Sequence, residues 1–343
     1  MKKILILLLT VVLVLSLSAC GDNDGGTEQK VWKYAHTGRN GDELDQYADL
    51  VKQYIEEEFD NVTVELFGAE QLGNDEQRME LVLGGGSEFA QVYSLALANI
   101  VPEAQIFTIA YALPEDNEQL SYIFREGEAV SYINDLVSDK GLEILDWYPE
   151  TFSNFTSNKK LGRLEDFNGQ TIRAMNNFID IANVRAFGAS PTTITYSEIY
   201  SALQLGTADG QTNPLTIINS NNFFEVQKYL LLSNHQCVQD VVITNSGFYN
   251  GLTDEEKEKL SNAFMKVNTA ALANRTQIAD DSLEQIKERK PDLEIIDVSE
   301  ETKAEWKEIV GAAPRKAFVD EIGESGQEVL DLFDSDIERS KGE

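Results

Sequence analysis

Cysteine and histidine are scarce, with two of each in 343 residues. Any Ser-His-Asp or Cys-His catalytic set would have to use His36 or His235, and no G-x-S-x-G elbow accompanies them. His235-Gln236-Cys237 offers two metal-ligand types on one strand face but lacks a second pair at metal spacing, so neither a metal nor a cofactor is expected. Gly84-Gly85-Gly86-Ser87 departs from G-x-G-x-x-G and reads as a helix end, not a phosphate cradle. Basic residues are few as well: 28 Lys and Arg face 59 Asp and Glu, a formal net charge of −31. Such a surface repels a phosphate backbone, which excludes nucleic acid as a partner. Among so many acids, carboxylate pairs arise by chance and carry no argument for a glycosidase. Only one long apolar run exists, at the very start, so the chain is not polytopic.

That run has the form of an export signal. Lys2 and Lys3 precede an apolar stretch over residues 4–17, and Leu17-Ser18-Ala19-Cys20 closes it with small residues. The tetrapeptide resembles a bacterial lipobox, which makes residues 1–20 a lipoprotein signal peptide and Cys20 the lipid-bearing residue. Residues 21–29, with Gly21, Gly25 and Gly26 among polar neighbours, then serve as a flexible tether. Lipidation of Cys20 leaves Cys237 as the last thiol, so no internal disulfide forms and the core must supply the stability. The acidity also keeps the surface soluble by self-repulsion and fits a saline or alkaline habitat.

After the tether the pattern alternates strands and helices. Strands are expected over 31–35, 62–67, 89–93 and 142–147, with helices over 42–59, 75–83 and 117–138 between them. The rhythm resumes with strands over 170–174 and 192–194, a helix over 177–187, a helix capped by Ser197 and ended by Gly206, and strands over 208–212 and 240–245. This βαβ order predicts an α/β fold with largely parallel sheets in two lobes. Thr253 and Glu256 form a capping box ahead of a stripe that continues to Pro291, which predicts a helix over 253–290 long enough to brace both lobes. A break near Asn274 would instead make it two helices.

One block is more specific. Gly169-Gln170-Thr171-Ile172-Arg173, Gly188-Ala189-Ser190-Pro191-Thr192, residues 197–204 and Ala208-Asp209-Gly210-Gln211-Thr212-Asn213-Pro214 follow in an order and spacing that resembles the TRAP-transporter substrate-binding proteins of the DctP type. Gln71-Leu72-Gly73 and Phe224-Glu225-Val226-Gln227-Lys228-Tyr229 fit the same pattern, so the resemblance spans the mature chain. It implies a two-lobed periplasmic-binding-protein-like fold, a ligand cleft between the lobes and a long helix spanning both. Lobe I would comprise 30–150 plus 239–279, and lobe II 151–238 plus 280–343.

The resemblance also assigns residues. Arg173 stands where the family clamps a ligand carboxylate, a role suited to a planar guanidinium that stays charged when desolvated; an ion pair with Asp166 is the alternative. Asn213 falls at an amide contact, although Asn before Pro is equally a turn residue. Tyr196, Tyr93, His36 and Asp75 match cleft positions, while Asp75 could simply cap its helix. Ser153 occupies the place where many relatives carry a second Arg, which puts a simple dicarboxylate in doubt. The implied protein is no enzyme: it captures an organic acid outside the cytoplasm, anchored to the outer face of the membrane, and presents it to TRAP permease subunits. A sensor, a binding protein of another importer, or a secreted hydrolase using acidic residues are the alternatives.

Overall fold

Val62 and Val64 turn inward from a short strand while Thr63 and Glu65 turn away, and Leu44, Tyr47, Ala48, Val51 and Ile55 form a buried helical stripe at three- and four-residue spacing. These two surfaces meet and start the first layer. The computed structural model describes residues 29–39 and 41–342. The expected signal peptide, Cys20 and the tether up to residue 28 lie outside the described residues.

The chain runs through β1 (Lys30–Ala35), α1 (Glu43–Glu58), β2 (Val62–Phe67), α2 (Asp75–Leu83), β3 (Phe89–Tyr93), α3 (Ser94–Leu97), α4 (Asn117–Glu126), α5 (Glu128–Ser138) and β4 (Leu142–Pro149). It then crosses to β5 (Ser153–Ser157), β6 (Thr171–Ala174), α6 (Phe178–Ala186), β7 (Ser190–Thr193), α7 (Ile199–Leu205), β8 (Gly210–Pro214), α8 (Leu215–Ser220) and β9 (Tyr229–Gln236). It returns through β10 (Gln239–Asn245) and α9 (Ser246–Gly251), and ends with α10 (Asp254–Arg289), β11 (Glu294–Asp297), α11 (Glu300–Ile322) and α12 (Glu324–Ser340).

Two sheets result, ordered β2-β1-β3-β10-β4 and β11-β9-β5-β8-β6-β7. Each is covered by helices and carries its own apolar clusters, so there are two α/β lobes. The sheets are mixed where largely parallel ones were expected. β10 is antiparallel to β3 and β4, and β5 is antiparallel to β8 and β9. Both are strands that enter a sheet from the other lobe, and a chain arriving from that side runs against its new neighbours. The two crossings lie side by side: Glu150 N donates to Val238 O at 3.0 Å, and Ser153 pairs with Gln236. Together they form a two-stranded hinge.

The long helix is continuous, and Asn274 does not break it. Its N-terminus carries the expected capping box, with Glu256 N donating to Thr253 Oγ1 at 3.2 Å. Thirty-six residues at about 1.5 Å each span roughly 54 Å. Leu260, Phe264, Val267 and Ala271 sit in a first-lobe cluster, whereas Ile286 sits in a second-lobe cluster. The helix therefore rests on both lobes.

Two of the departures from the sequence expectation concern the helices. The helix over 117–138 is two helices parted at Gly127, where a Cβ would come within 2.3 Å of Ile123 O and 2.9 Å of Asp336 Oδ2. The buried Asp336 carboxylate takes up that space and accepts from Glu128 N at 3.0 Å and Ala129 N at 2.9 Å, capping α5 from another helix. Second, residues 280–343 do not all join lobe II. α11 packs on α6, with Trp306 and Val310 in a second-lobe cluster, but α12 returns to α4 and α5 and buries Val329, Leu330 and Phe333 in the first lobe.

His235 belongs to the second-lobe core. Its ring stacks on Phe155 at 4.0 Å between centroids, with Thr212 Oγ1 3.0 Å from Nε2 and Ser233 Oγ 2.8 Å from Nδ1. Burial pushes its pKa down to about 3. The unfolded chain takes up this proton near pH 6.5 and the folded chain does not, so the contribution is complete above that pH and shrinks by about 1.4 kcal/mol per unit below it. Urea unfolding at pH 7 and pH 5 should therefore show a loss about 2 kcal/mol smaller in His235→Gln than in the parent protein. Equal losses would mean that another group governs this part of the acid response.

Candidate functional site: a cavity between the lobes

The ends of β3, β4, β6 and β8 and the loops that follow them converge beside the hinge. They enclose a cavity of about 520 Å³. Thr37, Glu70, Asn74, Asp75, Tyr93 and Glu150 line it from the first lobe, and Arg173, Met175, Asn176, Asn213, Pro214 and the loop from Thr193 to Ser197 line it from the second. Val238, in the hinge, completes the wall.

Arg173 lies on β6 and is 4% exposed. Its Nε donates to Ile194 O at 3.0 Å, which fixes the plane of the guanidinium. Neither Nη group has a hydrogen-bond partner among the described residues, and no carboxylate there comes within ion-pair distance. Asp166, the acid that could have neutralised it, pairs with Arg163 instead at 3.6 Å. Asp180 is the nearest acid electrostatically, but its carboxylate accepts from Met175 N at 2.6 Å and Gln236 Nε2 at 3.2 Å. Burial lowers the Arg173 pKa, opposed by Asp180, Tyr93 and Tyr196. A guanidinium remains protonated even so. What results is a buried cation with two free donors on a cavity wall.

Four further predicted residues come to the same cavity. Asn213 ends β8 and donates its amide to Gln211 Oε1. The Tyr196 hydroxyl accepts from Asn221 Nδ2 at 2.8 Å, and its ring receives the Arg39 guanidinium 5.7 Å from its centroid, a contact across the lobes. Tyr93 stands at the end of β3. Asp75 does not cap α2, because Asn74 does so through a capping box with Gln77. That leaves the Asp75 carboxylate to bond Arg78 Nη2 at 2.5 Å and Tyr93 N at 3.3 Å while facing the cavity.

His36 and Ser153 are not brought to the cavity. His36 points into the first lobe, 1% exposed, with Gly68 against its ring and Asp45 Oδ1 4.0 Å from Nε2. Burial holds its pKa down at about 4. Thr37, one residue on, where the chain bends after β1, is the one that lines the cavity. Ser153 is buried at the start of β5 against Pro214 and Gln236.

Glu150 and Arg78 escaped the sequence reading. Glu150 is one acid among 59, and nothing local marks it as the one placed in a hinge. Arg78 reads as a solvated partner for Asp75 on a helix surface, yet it is fully buried. It bonds Gln91 O, Gly73 O and Thr37 Oγ1 at 3.1, 2.7 and 2.6 Å as well as Asp75. Its position between α2 and β3 arises only in the folded lobe.

Comparison with known proteins agrees with this geometry. The family model described as bacterial extracellular solute-binding protein, family 7, matches residues 34–321. The ectoine-binding periplasmic protein TeaA of Halomonas elongata is 31% identical over 333 residues, 97% of this chain and 95% of that protein. The ectoine/5-hydroxyectoine-binding periplasmic protein UehA of Ruegeria pomeroyi is 29% identical, covering 89% of this chain and 90% of its own. Among solved structures, the ectoine-binding protein of the Halomonas elongata TeaABC TRAP transporter is similar with a TM-score of 0.84 at 31% identity, covering 90% of this chain and 99% of that one. A TRAP periplasmic solute-binding protein from Desulfovibrio salexigens with bound orotic acid gives 0.84 at 28% identity, with the same coverage.

Proposed function

As the chain belongs to the bacterial extracellular solute-binding proteins of family 7, it is a non-enzymatic, extracytoplasmic binding protein of the TRAP-transporter type, and from that premise we propose that it captures a monocarboxylate on Arg173. The observation that carries this reading is the buried guanidinium on the cavity wall whose two Nη groups have no partner among the described residues. A carboxylate matches that fork in shape and charge. Asn213, Tyr196, Tyr93 and Asp75 then contact the remainder of the solute. Contacts from both lobes favour the closed arrangement about the hinge, and α10, resting on each lobe, follows the motion. The loaded protein hands its solute to the membrane permease subunits, and Cys20 carries the lipid that keeps it at the outer face of the membrane.

The lining residues also support one carboxylate over two. Among them Arg173 is the one cation, and it shares the wall with Glu70, Asp75 and Glu150. Ser153 does not contribute through its own side chain, so the argument rests on the whole lining and not on that one position. A second carboxylate would meet acids. In a thermal-shift panel, monocarboxylates are expected to raise Tm more than C4-dicarboxylates of similar size, and the shift should vanish in Arg173→Ala. Succinate or malate as the strongest stabiliser would overturn the preference. A shift that survives in Arg173→Ala would overturn the clamp.

A further inference from the structure

Resting on the reading of Arg173 as the carboxylate clamp, we propose that the solute is a zwitterion whose cationic N–H group seats on Glu150, a hinge carboxyl that shares one proton with Asp240 and releases it on binding. Glu150 lines the cavity while only 1% exposed, and its Oε1 meets no donor among the described residues. Asp240, 2% exposed, likewise leaves Oδ2 without a donor. The two carboxyls are close neighbours, and each acts on the other's ionisation. Carboxyl oxygens bond each other only by sharing a proton, because a carboxylate has nothing to donate.

Among the described residues no cation forms an ion pair with either carboxyl. Arg275 on α10 reaches the backbone of Glu150, with Nε 3.0 Å from its carbonyl oxygen, and spends Nη1 on Asn117 Oδ1 at 2.7 Å. Cys237 donates to that same carbonyl at 3.2 Å. Glu43 on α1 adds negative potential, but its carboxylate is occupied by the Tyr148 hydroxyl and by Thr151 and Thr216. Around Asp240 stand Asp75, Tyr34 and Arg78, and the Arg78 guanidinium is bonded elsewhere. Tyr93 and Tyr196 lie within electrostatic reach of both Glu150 and Arg173, so the two poles face one cavity. Burial first, and the neighbouring carboxyl second, raise the Glu150 pKa. Burial also raises that of Asp240. The pair therefore keeps a proton to higher pH than ordinary carboxyls do.

An ammonium or amidinium placed there supplies the donors and the positive charge that the protein withholds. Its approach favours the doubly ionised pair, and the shared proton leaves to solvent with no other bond made or broken. Affinity for such a solute rises with pH through the titration of the pair. Glu150 also lies in the crossing strand, with its backbone N–H on Val238 O, so this contact acts on the hinge as well as on specificity.

Matched probes test the proposal: 4-aminobutanoate against 4-hydroxybutanoate, L-proline against tetrahydrofuran-2-carboxylate, and ectoine as a cyclic amidinium carboxylate. The expected result is that zwitterions raise Tm while their neutral isosteres raise it far less, and that Glu150→Gln and Asp240→Asn each erase the difference. Calorimetry of the strongest probe in two buffers of different ionisation enthalpy should report about one proton released per solute at neutral pH, and none in Glu150→Gln. The proposal is overturned if no zwitterion stabilises the protein, if hydroxy acids do as well, or if the preference survives both substitutions. Stabilisation by hydroxy acids alone, lost in Arg173→Ala, would sink the zwitterion and leave the clamp standing. Stabilisation by any probe that persists in Arg173→Ala would sink the clamp itself.

Discussion

Arg173→Ala is expected to weaken carboxylate binding by about 2–5 kcal/mol, roughly 30- to 5,000-fold in Kd. The loss has two sources: the forked pair of hydrogen bonds disappears, and the solute carboxylate is left desolvated in a cavity whose other charged walls are acidic. Arg173→Lys keeps a charge but supplies a point where the solute needs a plane, so it should recover only part of the affinity. The ligand-free protein should behave differently. Arg173 has no ion-pair partner among the described residues and is 4% exposed, so folding desolvates it with only the Ile194 carbonyl and the more distant Asp180 to offset the cost. Its removal should leave the unfolding free energy unchanged or raise it, as expected of a residue kept for binding and not for stability. Titration calorimetry and urea unfolding of the same variant separate the two effects. Unchanged Kd, or a large loss of ligand-free stability, would each contradict the assignment.

Arg78→Ala is expected to lower stability by about 3–5 kcal/mol, because it leaves backbone carbonyls at a fully buried site, and the half-buried Asp75 carboxylate, without their cation. Arg78 is fully buried and ties three segments together: the loop after β1 through Thr37, the loop before α2 through Gly73, and β3 through Gln91. Thr37 and Asp75 are both cavity residues, so the same change should also weaken ligand binding. Arg78→Lys restores the charge without the spread of donors and should fall between the two. Urea unfolding of the three proteins measures the effect. A loss below about 1 kcal/mol for Arg78→Ala would be the value of an exposed pair, and would mean that the guanidinium does not organise this wall.

Local chemistry was enough for much of the molecule. Apolar residues at period two or near 3.6 set most strands and helices, since those periods decide which side chains share a face before any partner is present. Thr253 with Glu256, and Pro291 beyond, bounded the long helix because capping and the missing proline N–H act within a few residues. Arg173, Asn213 and Tyr196 were legible through the spacing of a motif block. Other features depend on which surfaces meet across long stretches of chain. Gly127 ends a helix partly because Asp336, 209 residues later, occupies its place, and α12 follows its apolar face to the first lobe. His36 turns into the first lobe and Thr37 to the cavity where the chain bends after β1. Glu150 and Asp240 become a proton-sharing pair only when two hinge strands, ninety residues apart, lie side by side. By itself, the sequence determined most of the elements and their apolar faces, and it singled out Arg173. Only the tertiary structure decided which acids lose their water and which charges they then face, because desolvation is a property of the assembled surroundings and not of a residue or its neighbours in the chain.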